Sequence, residues 1–167
     1  MYRHSTLFGI LTLTASCLLS VASATVYTNN GNSANYSLNA GDSLSIASGT
    51  YTGNISTFPA GAKIGIQSGA VFQPASFSFP NIHGTVYVYG TFKMTSQLRT
   101  NTSFTLYNYG VVWVTSTTLM SGSSQVWTNY YGGLMKLDGD VTMTSDNSIT
   151  NQGTITFGAN LTICRRR

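Results

Sequence analysis

Asp42, Asp138, Asp140 and Asp146 are the only acidic residues in this chain; among its 167 residues there is no glutamate. Two of them stand close together in "LDGDV", where Asp138 and Asp140 flank Gly139 between two short strand patterns. An Asp-x-Asp turn is the beginning of a weak Ca²⁺ site, but calcium takes about six to eight oxygens. The neighbouring repeats offer only Thr115 and Gly158 at the place of Asp138. A solvated turn is therefore expected, with Lys136 pairing with Asp138. His83, in "NIHG", has no carboxylate or serine set beside it by any motif, so a loop histidine is expected rather than a general base. No phosphate-cradling glycine loop, metal-spaced Cys/His set or nucleophile elbow occurs. No catalytic residue, metal or cofactor is assigned.

The residues with most chemical character are aromatic. Tyr87 and Trp113 are expected in one outward slot of successive repeats, followed there by Lys136 and Thr156. Tyr107, Tyr109, Tyr130 and Tyr131 crowd an adjacent corner. Exposed rings of this kind suit the C–H faces of sugars, and surface glycans or other coils of the same protein are the candidate partners. The competing reading is that the rings stack on one another and strengthen the ladder. A threonine-array, ice-binding face is disfavoured, because Tyr87, Trp113 and Lys136 interrupt the matching slots.

Composition narrows the classes further. Only 7% of residues are charged, and the net charge of +4 comes from Arg3 and Arg165 to Arg167. Between them, Lys63, Lys93, Arg99 and Lys136 balance the four aspartates. A nucleic-acid partner, which needs a basic stripe, is not expected.

Residues 1–24 read as a targeting leader: "MYRH", then the apolar "LFGILTLTASCLLSV", then "ASA", with cleavage between Ala24 and Thr25. The alternatives are a transmembrane anchor, for which the stretch is short and diluted by Ser and Thr, and a lipoprotein cut at Cys17. Export is expected, to the extracellular space or cell surface, with no membrane span after leader removal. Cys164 is then the one remaining cysteine, so no intramolecular disulfide forms.

These residues hang on a repeat. Glycines after Asn-containing turns (Gly84, Gly110, Gly133, Gly153) each open a similar stretch: "GTVYVYGTFKM", "GVVWVTSTTLM", "GLMKLDGDVTM", "GTITFGANLTI". Val86/Val88, Val112/Val114, Met135/Leu137 and Ile155/Phe157 fall in register, and only Thr118 breaks the second apolar set. From Ile64 through Val86, Val112 and Met135 to Ile155 the steps are 22, 26, 23 and 20 residues. Alternation of apolar with Ser, Thr, Tyr and Lys is the mark of half-buried strands. A third short strand, carrying Phe79, Leu106, Trp127 or Ile149, precedes each turn. One such coil cannot bury its apolar row, whereas stacked coils can. The expectation is an all-β, right-handed parallel β-helix (β-solenoid) of five to six coils of ~20–26 residues, three short strands each. A β-sandwich of hairpins is the alternative. Asn81, Asn108, Asn129 and Asn151 are expected to stack at one corner, with the following glycines supplying positive φ.

"LNAGDSLSIASGTYTGNI" resembles the first coil of secreted right-handed parallel β-helix proteins of the pectin-lyase-like architecture, through Gly41, Asp42, Leu44, Ile46 and Gly49-Thr50-Tyr51. The later coils are similar to the degenerate N-x-G-T repeats of exported bacterial adhesins and surface proteins. The resemblance implies an adhesive or structural role. Its runner-up implication is the N-terminal part of a β-helix polysaccharide lyase or hydrolase. The expected layout is residues 1–24 leader, 25–43 cap and first strand, 44–163 coils, and 164–167 ("CRRR") a non-repeat tail. That tail reads as a truncation product, or alternatively as charges that blunt an edge.

Overall fold

The computed structural model describes residues 23–75, 77, 82–144 and 146–164. These form strands of two to four residues, wound so that each coil crosses up to three sides. Side one holds β1 (Val26–Asn29), β3 (Ser43–Ile46), β6 (Lys63–Ile66), β8 (Thr85–Val88), β11 (Thr105–Asn108), β14 (Val126–Asn129) and β17 (Ser148–Asn151). Side two holds β4 (Thr50–Tyr51), β7 (Val71–Phe72), β9 (Thr91–Met94), β12 (Val111–Val114), β15 (Leu134–Leu137) and β18 (Thr154–Phe157). Two further sheets complete the coils: β10 (Leu98–Thr100), β13 (Thr118–Met120), β16 (Val141–Thr144) and β19 (Leu161–Cys164), and the pair β2 (Tyr36–Ser37) with β5 (Ile55–Thr57).

Every strand pairing among the described residues is parallel, for example Leu44 beside Ile64 and Ile64 beside Val86. Hairpins would give antiparallel pairs. The chain is thus a β-solenoid. Side one counts seven rungs rather than the five to six expected. The added rung is β1, which pairs with β3 through Tyr27 and Leu44 from within the segment read as a cap.

Alternation drives the assembly. Leu44, Ile46, Ile64, Ile66, Val86 and Val88 point inward and are almost fully buried. The inner column of side two runs Tyr51, Phe72, Phe92, Val112, Met135, with Tyr51–Phe72 and Phe72–Phe92 ring centroids 5.3 and 5.4 Å apart. Phe77 fills the interior edge-on to Phe72 and Phe92. Beyond Phe92 side two carries Val112 and Met135, and the interior rings continue as Phe104 and Trp127, both fully buried and edge-to-face with centroids 6.1 Å apart. Thr118, the residue that breaks the apolar pattern, is nevertheless buried. In the seventh rung the inward side chains Phe157, Leu161 and Ile163 are exposed.

Two expectations need correction. The first concerns register. Val112 lies beside Phe92, not Val86, and Val86 lies beside Leu106. "GTVYVYGTFKM" contains two glycines, and the corner glycine is Gly90, not Gly84. With Phe72, Phe92 and Val112 in one slot the steps are even, and the 26-residue step disappears. The second concerns the glycines themselves. Gly84, Gly110, Gly133 and Gly153 do not carry positive φ. Their requirement is closeness of the coils: a Cβ on Gly110 would stand 2.2 Å from the Gly90 carbonyl oxygen, and one on Gly153 2.3 Å from that of Gly133. Gly84 instead leaves room for the Phe58 ring.

Candidate functional site

The corner between sides one and two carries the Asn–Gly turns and, outside them, the tyrosines. Inside, Asn108 Nδ2 donates to Asn129 Oδ1 (2.7 Å), and Asn129 Nδ2 donates to Asn151 Oδ1 (2.8 Å). The same amides reach the carbonyls of Leu134 and Thr154 in the following coil. Gly110 and Gly153 donate their N–H groups back to Asn108 and Asn151. Asn81 lies outside the described residues, as does Phe79. In the coil before Asn108 this slot holds Val88.

Outside, Tyr87 lies beside Tyr107 on the outer face of side one, ring centroids 5.3 Å apart. Tyr89, Tyr109 and Tyr130 follow around the corner. Tyr109 is nearly parallel to both neighbours, at 5.0 Å from Tyr89 and 4.4 Å from Tyr130. Lost hydration between the rings pushes the Tyr109 phenol above its ordinary pKa, and a hydrogen bond with Tyr130 adds to this.

Tyr131 stands apart from the stack. "NYYGG" has two residues more than "NYG" between Asn and the corner glycine, and the excess forms a turn closed by the Gly133 N–H to the Tyr130 carbonyl (2.9 Å). Gly132, at φ +84°, takes the third turn position, which a side chain would strain. Tyr131 is left at the apex, 91% exposed. A cavity of about 520 Å³ opens beside it, lined by Gly132, Gly133, Gln152, Gly153 and Thr154.

Trp113 is on a different side from Tyr87, a consequence of the register. It stacks between lysines of the adjacent coils: Lys93 Nζ lies 5.0 Å and Lys136 Nζ 4.9 Å from the ring. Its Nε1 donates to Asp138 Oδ2 (2.8 Å), and Lys136 Nζ is 3.7 Å from Asp138 Oδ1. Both ring faces meet cations, so this indole offers no free platform.

Asp140 turns elsewhere and accepts from the N–H and side-chain amide of Asn160. Asp138 and Asp140 therefore serve separate networks. Among the described residues no group of three His, Cys, Asp or Glu could hold a metal. His83 Nδ1 lies 2.9 Å from the Thr102 carbonyl oxygen.

No family model, curated protein or solved structure matches this chain. The site's meaning rests on its geometry.

Tyr89 and Lys93 were missed by the sequence reading. Both follow from taking Gly90 as the corner residue: "VYG" then superposes on "NYG", and Lys93 falls beside Trp113.

Proposed function

We propose that this chain is a non-catalytic, exported β-solenoid segment of an extracellular or cell-surface protein, adhesin-like or structural in role, and that it contacts glycans through Tyr131. The observation that carries this reading is the exposed Tyr131 ring at a turn apex beside an open cavity. Tyr89, Tyr109 and Tyr130 use their faces on one another, and this packing stiffens the corner that presents Tyr131. A ring held on a rigid backbone, with backbone amides, Gln152 and Thr154 around it, is the arrangement that sugar C–H faces and hydroxyls use. The leader pattern of residues 1–24 supports export, and the low charge supports a role that does not involve nucleic acid.

Affinity electrophoresis in gels containing neutral or acidic polysaccharides tests the binding. Retardation that is lost in Tyr131→Ala supports the reading. Absence of retardation in every polysaccharide, or equal retardation in Tyr131→Ala, contradicts it.

A further inference from the structure

Asp42 is a buried carboxylate, 2% exposed, at the turn that opens the second rung. Its Oδ2 accepts from the Asn39 N–H (2.8 Å) and the Asn39 side-chain amide (3.3 Å). Its Oδ1 accepts from one group, the backbone nitrogen of Thr25, at 2.8 Å. Hydrogen bonds from Asn39 and Thr25 hold its pKa below the usual carboxylate value, so it is ionised at neutral pH. Lys136 pairs with Asp138 at a different place, and Lys63 donates its backbone N–H to the Asp42 backbone carbonyl rather than its ammonium to the carboxylate. The donors from Asn39 and Thr25 already stabilise the carboxylate, and all of them are neutral, so a cation in place of one would add a charge-assisted bond to a geometry that exists.

Thr25 is the residue that the leader pattern makes the first of the processed chain. We propose that cleavage between Ala24 and Thr25 supplies that cation: the freed α-ammonium of Thr25 forms a partly buried ion pair with Asp42. Cleavage hydrolyses one peptide bond. Water adds across it, Ala24 keeps a carboxylate, and the Thr25 nitrogen, formerly a neutral amide donor, takes up a proton. That nitrogen is already in hydrogen-bonding position, so no rearrangement is needed to form the pair. The bond changes from amide-to-carboxylate to ammonium-to-carboxylate, which is shorter and stronger. The first coil gains most, because β1 begins at Val26, the residue after Thr25, and pairs with β3, which begins at Ser43, the residue after Asp42. Removal of the leader thereby tightens the end of the solenoid where stacking starts, and the unprocessed chain keeps a looser first coil. This inference rests on the cleavage position assigned to the leader and is independent of the tyrosine corner.

The experiment compares denaturant unfolding of the full chain with that of the same chain cut by signal peptidase, each with and without Asp42→Asn. The expected result is a folding equilibrium constant roughly tenfold higher in the cut chain, with this gain lost in Asp42→Asn. A cut chain no more stable than the uncut one, or an equal gain in Asp42→Asn, overturns the pairing. N-terminal sequencing of the cut product separates the two premises. If the first residue is not Thr25, the cleavage position fails, and the pairing is tested on a chain made to begin at Thr25. Should Asp42→Asn fail to fold, the Thr25 α-amino group is titrated by NMR in the cut wild type. A pKa raised above the ordinary range of about 7.7–8.0 supports the pair, and an ordinary value overturns it.

Discussion

The side-chain amide of Asn129 donates to Asn151 Oδ1 at 2.8 Å and at the same time to the carbonyls of Gly133 and Thr154, tying one coil's corner to the next. Asn129 is fully buried, whereas Asn151 is exposed. Removing the first amide takes the buried acceptor from Asn108 Nδ2 and breaks the ladder on both sides of a buried rung, while removing the second leaves groups that water reaches. Asn129→Ala is expected to cost about 2–4 kcal/mol and Asn151→Ala about 0–1 kcal/mol. The difference in urea unfolding midpoints between the two variants measures this.

Gly110 and Gly69 separate two uses of glycine. A Cβ on Gly110 meets the Gly90 carbonyl oxygen, so Gly110→Ala must force two coils apart, at about 3 kcal/mol. Gly69 has open space but φ of +79°, and Gly69→Ala carries only the backbone cost of about 1–2 kcal/mol. Thermal unfolding of the two variants should rank them in that order. The reverse order would mean that the coils are not packed as closely as the Gly90–Gly110 contact requires.

Tyr131 and Trp113 should behave differently in any glycan assay. Trp113→Ala removes a ring already covered by Lys93 and Lys136 and should leave retention unchanged. Tyr131→Ala should lower affinity by roughly fivefold to tenfold, the effect of one ring contact of about 1–1.5 kcal/mol. In Lys93→Ala/Lys136→Ala the Trp113 ring becomes accessible, and acrylamide quenching of indole fluorescence should rise.

Two ionisations give pH signatures of opposite sign. Asp42 has a lowered pKa, so its contribution to stability is present above the ordinary carboxylate value of about 3.9 and is lost as pH falls through the lowered one. The stability gap between wild type and Asp42→Asn should therefore close on acidification below about pH 4. Tyr109 has a raised pKa, so its phenolate should form later than the ordinary value of about 10. Alkaline absorbance titration should show one tyrosine fewer ionising late in Tyr109→Phe, and an earlier midpoint for Tyr109 in Tyr130→Phe.

Much of the architecture is legible in the residues. Alternation at Leu44/Ile46, Ile64/Ile66 and Val112/Val114 states the strands, and "NYG", "NYYGG" and "NQG" state the corner. Register was harder to read because two glycines compete in "GTVYVYGTFKM", and an apolar Val88 stands where later coils have Asn. Side one and side two carry the same period-2 pattern, so a slip from one side to the other conserves every inward apolar residue and leaves no local penalty to see. The slip does change the outward face. It placed Trp113 beside Tyr87, when the coil-to-coil neighbours of Trp113 are Lys93 and Lys136. β1 escaped notice because its inward residues are Tyr27 and Asn29 rather than an aliphatic pair, and its coil crosses side two without a strand. The exposure of Tyr131 was implicit in the two extra residues of its turn.

Register is the premise on which the tyrosine corner depends, and paired cysteines test it directly. Adjacent coils lie about 4.8 Å apart, within the Cα separation of about 4.4–6.8 Å that a disulfide accepts. In a Cys17→Ser/Cys164→Ser background, Tyr87→Cys/Tyr107→Cys should oxidise to an intramolecular disulfide, while Tyr87→Cys/Trp113→Cys should remain reduced. A disulfide in the second pair and none in the first would place Trp113 over Tyr87 and contradict the stack described here.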